Sequence, residues 1–235
     1  MNLKSAAFLT MAALSLFASA EAKERGFAII TDQKTYQACK AEIDAYQSVL
    51  LGEGLNAYVA ARTWNTPQEV REELLARYQG AGLEGAVFIG VVPIAMIRDA
   101  QHFTSAFKMD QERYPFFDSS VPSDRYYDDF DLRFDYISHD TTQTLFHYFS
   151  LRGDSPQEIN CDIYTGRIKP TREGEEGYRQ IRDYFRKLLA ERSAGNRLDV
   201  IVSYTGEGSF SNSLTTWKEE AITLREQFPQ AFGTG

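Results

Sequence analysis

The chain has 235 residues, of which 43% are hydrophobic and 25% charged, and its formal net charge is -8 at pH 7. This length suffices to bury a core as one domain or as part of a larger one. The acidity makes the chain a poor candidate for binding nucleic acid or anionic membrane surfaces, because both would repel it.

The first 22 residues have the features of an export signal. Lys4 precedes an apolar stretch, residues 6–17, that is too short to span a bilayer. Small residues lead up to Ala22, so we expect signal peptidase to cleave there, with an uncleaved anchor as the alternative. No second apolar run reaches spanning length, and we expect the cleaved product in the periplasm or outside the cell.

Residues 26–92 predict alternating strands and helices. A short apolar strand at 26–31 precedes a helix whose apolar residues, from Tyr36 to Leu50, recur at spacings of three and four. Gly52 and Gly54 close this helix. A strand at 55–61 and a second helix follow. Thr66 can cap the second helix, and Glu69 can complete its capping box.

The strand at 85–92 is nearly all apolar, as expected when helices cover both faces of a parallel sheet. The order strand, helix, strand, helix, strand is typical of such a sheet. We therefore predict an α/β fold in three layers, with a mainly parallel sheet flanked by helices.

Residues 93–158 interrupt this alternation, and we predict long loops there with one β-hairpin. The segment holds all three histidines of the chain. Regular structure then returns, with a strand at 158–168 and a helix at 171–192 whose inward face carries Tyr178, Ile181, Phe185, Leu188 and Leu189. A strand at 198–204 and a final helix that ends at Pro229 follow.

Candidate nucleophiles are few. Cys39 and Cys161 permit one disulfide, although the apolar helix face around Cys39 also suits a buried free thiol. A cysteine peptidase needs a thiol beside an imidazole. Within the chain only Cys161 with His139 or His147 offers such a dyad, and loop histidines beside a structural cysteine are the alternative.

Four aspartates in one acidic segment, Asp124, Asp128, Asp129 and Asp131, form a candidate calcium site. The alternative is a solvated acidic loop. We expect no other cofactor, because the spacing of cysteines and histidines does not suit zinc. The glycine-rich residues 206–209 also lack the full phosphate-loop and dinucleotide patterns.

Three segments in fixed order resemble the gingipain family of secreted cysteine peptidases, whose catalytic domain has a caspase-like α/β fold. They are GAVFIGVVP at 85–93, PSDRYYDDFD at 122–131 and IYTGRI at 163–168. The resemblance implies that residues 23–170 form the first caspase-like half. It further implies that residues 171–235 begin a second half that is truncated, so that the fold is incomplete.

The motifs that carry catalysis in this family are not found in the chain. The family's catalytic histidine lies in a Tyr-x-Gly-His-Gly-like segment, and its cysteine ends a later apolar strand. Here Glu207 stands where the histidine would be. Either the motif has decayed, or residues 204–209 form an earlier turn of the second half, which the order of elements favours.

Two functions follow as expectations from the resemblance. The first is the N-terminal portion of a secreted gingipain-like cysteine endopeptidase, with protein or peptide substrates, that is inactive alone. The second is a non-catalytic secreted protein that uses the caspase-like scaffold as a binding or interaction module.

Overall fold

A computed structural model of the chain describes residues 25–103 and 109–194. The predicted signal segment, the strand at 198–204 and the final helix lie outside these residues. The strands are β1 (Gly26–Thr31), β2 (Asn56–Ala61), β3 (Leu83–Ile89), β4 (Ile94–Arg98), β5 (Val121–Pro122), β6 (Phe134–His139), β7 (Phe146–Leu151) and β8 (Tyr164–Ile168). The α-helices are α1 (Gln33–Ala38), α2 (Lys40–Gly52), α3 (Pro67–Ala81), α4 (Phe116–Ser119), α5 (Arg125–Asp128) and α6 (Gly174–Ala194).

The chain divides into two compact units. The first comprises Met1–Gln37 and Gln47–Lys169, and the second comprises Ala38–Tyr46 and Pro170–Gly235. Both sheets belong to the first unit. The interpretation of residues 23–170 and 171–235 as two caspase-like halves stays a prediction.

The first sheet has the strand order β2-β1-β3-β8, and all of its neighbouring strands are parallel. This confirms the parallel sheet flanked by helices that the sequence predicts. Every residue of β1 is buried, as expected for a central strand. On one face, Ile30 and Phe88 belong to the same buried cluster as Val70 and Leu74 of α3.

The start of α3 confirms the predicted cap. Thr66 has extended backbone, and its hydroxyl accepts a hydrogen bond from the Glu69 amide at 3.3 Å. The Glu69 carboxylate reaches back and accepts from the Asn65 amide at 2.8 Å. These bonds satisfy amides at the helix start that have no partner within the helix.

We expect Thr66→Ala to lower the free energy of unfolding by about 1 kcal/mol, because it removes this capping acceptor. Urea unfolding followed by Trp64 fluorescence, in a Trp217→Phe background, measures the change, since Trp64 is buried in the first unit. Thr63→Ala, at an exposed loop position nearby, is the control and should be neutral. Equal losses in the two variants would contradict the capping role.

The prediction of long loops across 93–158 is wrong in its main part. The predicted hairpin exists as β6 and β7, but both strands belong to a second sheet of order β5-β4-β7-β6. In this sheet β4 pairs parallel with β7 and antiparallel with β5. The apolar run of β3 continues almost unbroken into β4, and β5 has only two residues, so neither strand stands out by periodicity.

The second unit contains α6 and the segment Ala38–Tyr46. Ile181 and Phe185 of α6 are buried, as the helical periodicity predicts, and the Phe185 ring lies 5.2 Å from that of Tyr46. Arg186 forms an ion pair with Glu42 at 2.9 Å. The helix predicted from residue 36 to residue 50 is in fact two helices, α1 and α2, which are separated at Cys39.

Candidate functional site

The side chain of Arg167, on β8, joins the three segments that carry the family resemblance. Its Nη2 donates to Asp124 Oδ1 at 2.8 Å and its Nε donates to Oδ2 at 3.3 Å. Its Nη1 donates to the carbonyl of Val92 at 3.0 Å, and Nη2 lies 3.3 Å from the carbonyl of Pro93. We call Arg167, Asp124, Val92 and Pro93 the arginine junction.

Aromatic rings enclose the arginine junction. The Arg167 guanidinium carbon lies 4.8 Å from the Phe88 ring centre and 5.9 Å from that of Tyr127. Tyr127 is fully buried, and its hydroxyl donates to the Pro93 carbonyl at 2.8 Å. Burial raises the pKa of Tyr127, so the phenol stays neutral. The junction is therefore a partly dry site in which a fork of N–H donors matches a carboxylate and two carbonyls.

Asp128 lies four residues after Asp124, at the end of α5, and its side chain contacts β8. Its Oδ2 accepts from Thr165 Oγ1 at 2.6 Å and pairs with Arg125 at 2.9 Å, while its main-chain carbonyl accepts from the Asp162 amide. The side chain is fully buried, and Oδ1 has no hydrogen-bond partner within residues 25–103 and 109–194.

Burial raises the pKa of Asp128 to about 6 from an ordinary 3.8, against the opposing effects of Thr165 and Arg125. Because the folded-state pKa is raised, the protonated carboxyl favours folding. Asp128 therefore contributes stability below pH 3.8 that is lost as the pH rises through about 6.

The other two candidate calcium ligands differ in their surroundings. Asp129 is buried, and its Oδ2 accepts from the Asn160 amide at 2.9 Å, whereas Asp131 is exposed. Burial raises the pKa of Asp129. Across residues 25–103 and 109–194, no three or more His, Cys, Asp or Glu side chains are grouped to hold a metal ion. The calcium site stays a prediction.

The thiols and imidazoles lie in different settings. Cys161 is exposed, and Arg125 Nη1 donates to its sulfur. His139 and His147 stack on each other across the β6–β7 hairpin, and their rings are 4.2 Å apart. The contacts of Cys161 are thus with a guanidinium, whereas those of the two imidazoles are with each other and with Thr144.

Cys39 and Cys161 are both free, so the disulfide is not formed. Cys39 is buried in the second unit, where its sulfur donates to the Tyr178 carbonyl at 3.5 Å. Burial raises its pKa to about 11. A thiol that stays protonated is a poor nucleophile, which confirms the interpretation of Cys39 as a structural buried thiol.

The carboxyl edge of the parallel sheet contains a polar residue that the sequence analysis missed. Asp32 directly follows β1, and its Oδ1 accepts from the Thr35 amide at 2.9 Å. Its Oδ2 accepts from the Val91 amide at 2.8 Å, just after β3. The sequence contained a signal for this contact, because Asp32 directly follows one buried apolar strand and Gly90 directly follows another.

Parallel α/β sheets bind ligands where the direction of strand succession reverses, which here is between β1 and β3. Both oxygens of Asp32 are used there to join α1 to the loop after β3. Asp32 is thus engaged by two main-chain amides at this position.

The chain has no significant match to a protein-family model, to a curated protein or to a solved structure. As for membrane spans, none of the helices within 25–103 and 109–194 combines the length and apolar character needed to cross a bilayer.

Proposed function

We propose that this chain supplies the scaffold of an exported gingipain-like cysteine endopeptidase with a caspase-like fold, and that it is inactive alone. The observation that carries the proposal is the arginine junction. The three segments that resemble the family are far apart in sequence, yet they meet around Arg167. Three short segments that contact one another in the structure support common descent with the family better than three separate short matches do.

The described nucleophiles support the inactivity. An endopeptidase of this class needs a thiolate and an imidazole within hydrogen-bond reach. Cys161 contacts Arg125, and Cys39 is buried with a raised pKa. The active centre would then depend on a histidine and a cysteine that this sequence does not supply, and protein or peptide substrates would be cleaved only when those groups are present.

One observation favours the second candidate, a non-catalytic binding or interaction module. At the carboxyl ends of β1 and β3, both oxygens of Asp32 accept hydrogen bonds from main-chain amides, so this carboxylate serves the structure. The coding sequence after Gly235 distinguishes the two candidates. A His-Gly segment and an apolar strand ending in cysteine, in the same frame, would favour the peptidase.

We expect the purified chain to hydrolyse no peptide substrate with arginine, lysine or an apolar residue before the cut. A peptidyl acyloxymethyl ketone, which labels activated cysteines, should give no labelling, because neither thiol has an imidazole partner in the part of the chain that the structure describes. Iodoacetamide should alkylate Cys161 at the rate of an ordinary exposed thiol. Mass spectrometry of the wild type and of Cys161→Ser measures both reactions.

The control is His147→Gln, which removes one imidazole and leaves both thiols. Strong labelling of Cys161 by the ketone that disappears in His147→Gln or His139→Gln would contradict the proposal, because it would demonstrate an internal dyad. Labelling unaffected by both substitutions would reflect an exposed thiol alone.

A further inference from the structure

Two histidines face each other across the hairpin of the second sheet. His139 on β6 is the register partner of His147 on β7. Their rings are stacked, with centres 4.2 Å apart and planes inclined by 12°. His147 is 3% exposed, whereas His139 is exposed and its Nε2 lies 2.8 Å from the carbonyl of Thr144.

The setting of His147 tolerates a neutral ring but not a charged one. Its Nε2 is buried and has no hydrogen-bond partner among the described residues. A neutral imidazole can leave one nitrogen unpaired at moderate cost, whereas an imidazolium would place an uncompensated charge there. Burial, followed by the repulsion of His139, lowers the pKa of His147 to about 4.

The described groups around His147 supply no negative charge that would stabilise its protonated form. From β6 the facing titratable group is His139, and from β4 the register partner is the uncharged Ala95. Asp140 follows β6, and its carboxylate accepts from the amides of Thr142 and Gln143 and from the Tyr148 hydroxyl. These bonds and His139 lower the pKa of Asp140, so it stays ionised through mildly acidic pH.

We propose that His147 makes the second sheet sensitive to acid. Its protonation separates β6 from β7 locally, while the strands of the parallel sheet stay paired. The open hairpin lets the imidazolium reach water and separates it from His139. Phe149, two residues further along β7, packs against Tyr126 with ring centres 4.5 Å apart. Opening therefore exposes apolar surface that is buried at neutral pH.

The direction and size of the effect follow from the two protonation states. A group whose folded-state pKa is lowered contributes stability above its ordinary pKa, and this stability is lost as the pH falls toward the folded-state value. For values of about 4 in the closed hairpin and 6.5 in the open one, the opening equilibrium shifts about 30-fold between pH 7.5 and pH 5.

Amide hydrogen exchange of the full chain tests the proposal. We expect protection factors in β6 and β7 to fall about 30-fold between pH 7.5 and pH 5, after correction for intrinsic exchange rates. The amides of β1 and β3 are the internal control and should change far less. In His147→Phe, which fills the site without titrating, the protection of the hairpin should become independent of pH over this range.

An NMR titration of the histidine rings in the wild type provides a second measurement that needs no variant. The His147 ring should remain neutral down to about pH 5. A His147 ring that titrates near 6.5, or a hairpin whose protection falls equally in His147→Phe, would overturn the proposal. A loss of protection that is uniform across both sheets would also overturn it.

Discussion

Arg167→Met should lower the free energy of unfolding of the first unit by about 3 to 5 kcal/mol, the largest single effect that we expect. The substitution keeps an unbranched side chain over Phe88 but leaves the Asp124 carboxylate without its partner in a partly dry site. The side chains of Arg167 and Asp124 are 17% and 26% exposed, so water can replace the lost bonds only in part. Urea unfolding followed by Trp64 fluorescence, in the Trp217→Phe background, measures the loss.

The matched control is Arg25→Met. Arg25 forms a similar fork with Glu84, at 3.0 and 2.8 Å, but its side chain is 60% exposed. Solvent-exposed pairs contribute about 0 to 1 kcal/mol. A loss below 1 kcal/mol for Arg167→Met, or equal losses in the two variants, would show that the arginine junction does not hold the three segments together.

Charge alone does not account for the arginine junction, and Arg167→Lys separates charge from geometry. Lysine keeps the positive charge but lacks the planar fork that reaches Asp124 and both carbonyls. We expect its stability to lie between those of the wild type and Arg167→Met.

Gly90→Ala should be the second largest change, with a loss of about 2 to 5 kcal/mol from backbone strain and overpacking together. Gly90 has φ 78°, in the left-handed region that favours glycine. A Cβ atom there would clash with Thr35 Oγ1 and lie 2.7 Å from Asp32 Oδ2. The same unfolding measurement applies.

Gly54→Ala isolates the backbone contribution, because Gly54 has φ 84° and no heavy atom within 4 Å of a Cβ position. It should lose only about 1 to 2 kcal/mol. Adding Thr35→Ala to Gly90→Ala should recover part of the remaining loss by making room. Equal losses for the two glycine variants would show that the contact with Asp32 and Thr35 is not close-packed.

The arginine junction changes how the family resemblance is understood. In sequence, the acidic segment and the Gly-Arg-Ile strand end are two of the three segments that resemble the family. In the structure, Asp124, Tyr127 and Arg167 fix one another and the loop at Pro93. Through these contacts the three residues position the end of β3.

Local features of the sequence were sufficient to predict the first three strands of the parallel sheet and the cap of α3. A strand buried on both faces shows its burial in its own composition, and a capping box lies within four residues. The same features placed Ile181 and Phe185 on the buried face of α6, because a helix repeats its contacts every three to four positions.

Only the tertiary structure decided the rest. The parallel pairing of β4 with β7, the contact of Arg167 with Asp124 across 43 residues and the stacking of His139 on His147 depend on which distant segments come together. A window of sequence records the propensity and burial of its own residues. It does not record the partner of a charged or polar side chain, because that partner is set by the packing of the whole chain.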